Sequence, residues 1–321
     1  MDKYDAYEQF EGYEQLVGPQ SRQERRGHKP KRIRKNDKKL QTINKQIREM
    51  DDGIKEWVPS YAASLDPLHH ERHWVITSVS PFYRDQMITD LTRLVKGGKE
   101  ANVYVCTGHP ATGHELIAAK LYRPRELRHL KNDAVYKAGR MLRGEDGKQL
   151  KGRRVKLALR KKTSFGKKLD IMWWINNEFR TQQLLYESGA DVPEPFGHQG
   201  NTILMEYIGD ANGPAPTLSE INLPPKEARP LFQRIMDNVA LMLDNHFVHG
   251  DLSAYNILYW EGEITIIDFP QLVEARTNPH AFELLQRDIT RVCDYFRKYG
   301  VETDPQQLTL DLWEPYMGRD Y

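Results

Sequence analysis

The sequence predicts an α+β fold in which a sheet-rich lobe is followed by a helix-rich lobe. Three observations carry that prediction. Between residues 85 and 122, alternating apolar stretches are broken by glycine turns, the pattern of an antiparallel meander. From residue 169 onward, three long stretches repeat apolar residues at helical spacing. Between the last two of these, a short turn separates two β-type runs.

Each element follows from its own residues. ITDLTRLVKGGKEANVYVCTGHPATGHELIAAKLYR predicts strand, glycine turn, strand, turn, strand, with folding starting near Asp85. The basic, weakly periodic stretch that follows reads as a mobile insertion over about 124–168. LDIMWWINNEFRTQQLLYESG predicts a helix stopped by Gly189. DVPEPFGHQGNTILMEYIG predicts a turn and one strand. EARPLFQRIMDNVALMLDNHF predicts a second helix, with Phe232, Ile235, Val239, Met242 and Leu243 on one face. NILYW and EITIIDF predict two short strands joined by Glu261-Gly262. AFELLQRDITRVCDYFRKYG predicts a closing helix with Gly300 as its stop. The lobes then divide as about 85–208 and 209–321, within a domain of 76–321.

Residues 1–75 read as a tail, because SRQERRGHKPKRIRKNDKKLQTINKQIREM is too polar to offset its chain entropy by burial. Two readings of this basic run stay open: an arm for RNA or a ribosomal particle, and a solvated tail without a partner. The HHERH cluster, His69 to His73, lacks an organised metal-ligand spacing. The chain has 321 residues, 39% hydrophobic, with a net charge of +2 that hides a basic N-terminal half. Its two cysteines, Cys106 and Cys293, argue against a disulfide-dense secreted scaffold and suit a reducing compartment. No apolar run approaches the roughly 18 residues of a membrane span, and no signal-peptide pattern opens the chain. A cytoplasmic protein without a membrane partner is expected.

The chemistry concentrates in HGDLSAYNILYWEGEITIIDFPQ, His249 to Gln271. An Asp, an Asn five positions later and a second Asp after a short hairpin form a phosphoryl-transfer pattern. Asp251 can orient an attacking hydroxyl and accept its proton. The hairpin brings Asn256 and Asp268 together to hold Mg²⁺ through hard oxygen atoms. Upstream, Lys120 at the end of LIAAK can reach phosphate oxygens, and Glu178 lies within a largely apolar helix stripe. A carboxylate there is costly unless paired, and Lys120 is its natural partner. Gly97, Gly98 and Lys99 form the turn where a phosphate loop belongs. LMEYIGD suits a connector between lobes, with Met205 shaping a pocket and backbone groups of Glu206 and Ile208 facing adenine. Each piece also has a plain structural reading: turn aspartate, surface lysine, helix-surface glutamate, edge strand. Their order and spacing favour the nucleotide site.

GGKEANVYVC, IAAKLYR, WWINNEFRTQQLL, MEYIG, VHGDLSAYNIL, IIDFPQ and RDITRVCDYFRKYG together resemble the RIO family of atypical protein kinases, over roughly residues 85 to 300. The resemblance implies a two-lobed protein-kinase-like fold with an antiparallel-sheet N-lobe and a reduced helical C-lobe. It implies a serine protein kinase or ATPase using ATP and Mg²⁺ or Mn²⁺, acting on itself or on a protein partner. Asp251 would be the catalytic-loop aspartate, Asn256 and Asp268 the metal ligands, and Lys120 with Glu178 the phosphate-positioning pair. It implies that Gly97, Gly98 and Lys99 contact phosphate and that Met205, Glu206 and Ile208 meet the base. A phospho-aspartate on Asp268, and hence an ATPase-like cycle, is also implied. The apparent lack of a winged-helix domain favours the branch without one and a bacterial member. The chain departs from the family at Lys96, where a Ser usually contacts phosphate. It departs from ordinary kinases at Gly250, which stands for an arginine. Two other classes compete: a small-molecule phosphotransferase of the aminoglycoside or choline kinase type, and a non-catalytic nucleotide-binding scaffold.

Overall fold

The computed structural model describes residues 69–98, 100–123 and 164–318, without the side chains of 69–73 and 164–174. Nearly all of the expected tail and insertion, and Lys99, therefore lie outside the described residues. So do the His69 to His73 side chains.

The chain folds earlier than its composition suggests. Helix α1, His69–Arg84, precedes the first strand, where the sequence reading placed the end of the tail. Val75, Val79 and Phe82 recur along one face and are fully buried. That stripe was hidden by the basic and polar residues around it. Strands β1 (Ile88–Gly97), β2 (Ala101–Gly108) and β3 (Leu116–Tyr122) form the expected meander. Helix α2, Ser164–Glu187, follows, and the chain turns at Gly189 with φ +87°.

The single strand expected over 191–209 is instead a hairpin, β4 (Pro195–Gln199) and β5 (Thr202–Glu206), turning at Gly200-Asn201. A proline at the strand start and a glycine inside it masked β4 in the sequence. The five strands pair antiparallel in the order β1-β2-β3-β5-β4, so β3 is central. Alternation along β3 sorts its side chains. Ile117, Ala119 and Leu121 join the core that includes α1, while Ala118, Lys120 and Tyr122 lie on the opposite face.

The second lobe is built on α3 (Pro225–Asp244), whose Phe232, Ile235, Val239, Met242 and Leu243 are buried as expected. Strand β6 (Phe247–Val248) pairs with β9 (Val273–Glu274). Between them β7 (Ile257–Trp260) and β8 (Glu263–Ile266) make the predicted hairpin. Its turn residues Glu261 and Gly262 have φ +51° and +91°, both in the left-handed region. Helix α4, Ala281–Arg297, packs onto this core and is followed by Gly300. A last helix not foreseen in the sequence, α5 (Pro305–Met317), is capped by Asp304, which accepts from the N–H groups of Gln306 and Gln307. Among the described residues no helix is long and apolar enough to cross a membrane.

Candidate active site

Strand β3 does not end at Lys120 but continues to Tyr122, which moves the lysine from a strand end to the interior of the central strand. Its Nζ donates to Glu178 Oε1 at 2.8 Å, the expected partner, and to Asp268 Oδ1 at 2.7 Å. Tyr122, two residues on and on the same face, donates its hydroxyl to Glu178 Oε2. Glu178 is 3% exposed, so both of its oxygens are satisfied in a dry place.

One ammonium between two carboxylates leaves an excess negative charge in a low-dielectric site. Burial opposes the charge on Lys120, but Asp268 and Glu178 together hold its pKa above the ordinary lysine value. The more deeply buried carboxylate yields instead: burial pushes Glu178 up to about 7, against the pull of Lys120. Burial also works against Asp268, but Lys120 keeps it below the usual carboxylate value. The Asp268 side chain is 47% exposed, so it stands at the mouth of the cleft with one side open. Its φ of +74° is rare for a residue with a Cβ; the Asp268 carboxylate is aimed by a strained backbone position.

Beside Lys120 on the same sheet face lies an apolar patch of Val95, Val103, Ala118, Met205 and Tyr207. Met205, expected to shape a pocket, packs in this patch. In the connector after β5, the Glu206 N–H is committed to the Glu194 carbonyl and the Ile208 carbonyl accepts from Ala215. Among the described residues the Ile208 N–H has no such partner. Arg93, which the sequence reading passed over, ties β1 to this connector. Its guanidinium donates to the carbonyls of Ala211 (2.7 Å) and Asp210 (3.0 Å) and to the Tyr207 hydroxyl (2.7 Å).

The turn between β1 and β2 carries Gly97 and Gly98. A Cβ on Gly98 would lie 2.7 Å from the Ala101 carbonyl, so the turn requires glycine there, whereas Gly97 meets only Asn102 at 3.8 Å. Lys99 is outside the described residues.

The loop from His249 to Asn256 forms the other wall. Asn256 donates Nδ2 to the Asp251 carbonyl at 2.9 Å, and its own carbonyl accepts from the Ile267 N–H at 2.9 Å. These bonds place Asn256 beside the Ile267-Asp268 peptide. His249 is buried, with its pKa lowered by burial; its Nδ1 accepts from the Asp251 N–H at 3.2 Å and its Nε2 meets the Ile267 carbonyl at 3.2 Å. The Asp251 carboxylate is 35% exposed; its Oδ1 accepts from Arg291 Nη1 at 2.8 Å and its Oδ2 lies 3.5 Å from Asn256 Nδ2.

Sequence reasoning missed what holds this loop from behind. Asp288 of α4 is 2% exposed and accepts the Gly250 N–H through Oδ2 at 2.7 Å, while its Oδ1 is buried without a hydrogen-bond partner. Burial pushes Asp288 up to about 7. Arg287 donates to the Gly250 carbonyl. An aspartate in the buried stripe of an amphipathic helix was the available signal.

For a divalent cation, Asn256 and Asp268 offer two hard oxygen atoms. No cluster of three or more ionisable ligands occurs among the described residues. That sparse set suits Mg²⁺, which keeps waters and takes its remaining oxygens from a nucleotide. The residues present therefore fit such an ion, which Asn256 and Asp268 would hold.

A strand lysine paired to a helix glutamate and to Asp268, beside a loop bearing Asp251 and Asn256, is the arrangement of a two-lobed protein-kinase-like fold. The comparisons agree. The RIO domain family matches residues 102–308, and the chain belongs to that family. The RIO-type serine/threonine-protein kinase Rio1 of Thermoplasma acidophilum is 34% identical over 135 residues, 42% of this chain and 69% of that protein. The human serine/threonine-protein kinase RIO1 is 32% identical over 217 residues, 67% of this chain. The chain spans only 34% of that longer relative. In structure, it resembles the Rio2 kinase of Chaetomium thermophilum, solved as an ADP/Mg²⁺-phosphoaspartate complex. The TM-score is 0.53 at 19% identity, covering 87% of this chain and 76% of that one.

Proposed function

We propose that this chain is an ATP- and Mg²⁺-dependent RIO-type serine protein kinase that phosphorylates itself or a protein partner. The observation that carries the reading is Lys120 shared between Glu178 and Asp268, which joins the phosphate-side pair to the metal-side aspartate. The base lies on the apolar patch at Met205, with the Ile208 N–H and the backbone at Glu206 in reach. Gly97 and Gly98, with Lys99, close over the phosphates, and Lys120 orients them. Asp251 receives the proton of the acceptor hydroxyl. A bound Mg²⁺ supplies charge neutralisation on the phosphates, held by Asn256 and Asp268.

A second reading is favoured by the open side of the Asp268 carboxylate, which leaves it accessible as a nucleophile. The Rio2 relative carries a phosphoaspartate, and a corresponding acyl phosphate on Asp268 would make the cycle an ATPase. The basic N-terminal stretch supports an RNA or ribosomal partner; binding that weakens steeply with salt would support it, and salt-independent or absent binding would remove it.

The test is incubation with γ-labelled ATP and Mg²⁺, wild type beside Asp251→Asn and Asp268→Asn. Stable label on serine, lost in both variants, is expected for the kinase. Label removed by hydroxylamine, with free phosphate released, establishes the ATPase cycle. Turnover unchanged in Asp251→Asn sinks both.

A further inference from the structure

Helix α4 grips the catalytic loop with three consecutive contacts. Arg287 donates to the Gly250 carbonyl, Asp288 accepts the Gly250 N–H, and Arg291, one turn on, donates Nη1 to Asp251 Oδ1 at 2.8 Å. The first two contacts fix backbone. The third reaches the carboxylate that faces the acceptor.

Arg291 is placed differently from its neighbours. Its side chain is 42% exposed, and among the described residues the group it hydrogen-bonds is the Asp251 carboxylate, with Asp288 acting on it through space. A guanidinium has five N–H donors in a flat fork, so this half-exposed one keeps donors beyond the one that binds Asp251. Two carboxylates of α4 lie near it in sequence: Asp294 is held by Arg297 at 2.7 Å, and Asp288 is buried, binds the Gly250 N–H and acts on Arg291 only through space. The loop itself can carry no cation at position 250, because Gly250 has φ +79° and no side chain. The positive charge on this flank thus comes from α4.

In the proposed function the nucleotide phosphates are served by Lys120, which lies on the sheet side with Glu178 and Asp268, so Arg291 is not required for them. An acceptor hydroxyl must come to Asp251, and the residues on either side of that hydroxyl then pass within reach of Arg291. We infer that Arg291 forms an anion subsite for the acceptor, selecting a serine flanked by Asp or Glu in an acidic peptide. The Asp251 contact holds the fork in place until a flanking carboxylate takes up the unused donors, which suit bidentate recognition. Arg291 is therefore a specificity-determining residue. This inference rests on the kinase reading for its chemistry, though the binding it requires does not.

The experiment uses the full chain and three serine peptides that differ only in flanking residues: Asp/Glu, Ala or Lys. Binding is measured by fluorescence anisotropy with Mg²⁺-ADP present, and transfer from γ-labelled ATP is measured alongside. Wild type should bind the acidic peptide at least roughly fivefold more tightly than the alanine peptide. Arg291→Gln should abolish that preference, and Arg291→Glu should reverse it toward the lysine peptide, with the effect on transfer appearing in peptide KM. An exposed side chain makes both variants compatible with folding, and an unchanged Tm verifies it. If all three proteins rank the peptides alike, the subsite does not exist and Arg291 only restrains Asp251. If acidic peptides bind through Arg291 but receive no phosphoryl group, the subsite stands and the kinase reading falls.

Discussion

The two walls of the cleft are held by different physics. On the sheet side, Lys120, Glu178 and Asp268 meet through side-chain charge across long stretches of sequence. On the loop side, each contact that places Asp251 and Asn256 has a backbone group at one end: Asn256 Nδ2 donates to the Asp251 carbonyl, the Ile267 N–H to the Asn256 carbonyl and the Gly250 N–H to the Asp288 carboxylate. The first wall trades desolvation against Coulomb attraction and so responds to charge and pH. The second is set by chain geometry, and its reacting carboxylate can change with little effect on the fold.

Asp251→Asn draws that contrast most sharply. Turnover should fall by about 10²–10⁴, the worth of a positioned general base. Melting should scarcely move, because the lost contact to Arg291 is a partly exposed ion pair. A large drop in Tm would show that Asp251 is part of the structural frame.

Lys120→Met should damage both properties. It leaves Glu178 buried without its cation, a change that costs about 3–5 kcal/mol in comparable sites. Glu178 already has a raised pKa, so its contribution is retained at low pH and lost as pH rises through about 7. The deficit, read by denaturant melts, should therefore be larger at pH 8 than at pH 5. Adding Glu178→Leu should recover stability without recovering turnover. A double variant no more stable than the single one would show that the pair does not couple in this way.

Asp288→Asn probes the loop wall for a charge dependence of its own. The folded pKa of about 7 lies above the ordinary 3.8. The aspartate's contribution is thus complete below about pH 4 and fades as pH rises through 7. Relative to wild type, the asparagine variant should gain on the order of 2 kcal/mol between pH 5 and pH 8. Parallel pH profiles would mean that the Gly250 N–H and the neighbouring arginines keep Asp288 ionised throughout.

The smallest effect is expected in the glycine turn. Gly98→Ala forces a Cβ against the Ala101 carbonyl and should raise the KM for ATP, while Gly97→Ala, whose Cβ makes only an ordinary contact with Asn102 at 3.8 Å, should leave the turn intact. Equal effects from the two would shift the cause from turn geometry to contact with the nucleotide.

Much of this site is written locally. The HGD loop, its Asn five positions on and the Asp after a Glu-Gly hairpin lie within one short stretch, so chain connectivity alone brings them together. The helix faces of α3 and α4 are legible for the same reason, since their periodicity is a property of neighbouring residues. Helix α1 was obscured by the polar residues around its narrow stripe, and β4 by its proline and glycine. The sequence by itself determined which residue types could carry phosphoryl transfer and on which elements they would sit. Only the tertiary structure decided that Lys120 would answer to Asp268 as well as Glu178, that Asp288 would hold the loop and that Arg291 would stand beside Asp251. Those contacts join residues far apart in the chain, and their strength depends on how deeply the folded protein buries each charge.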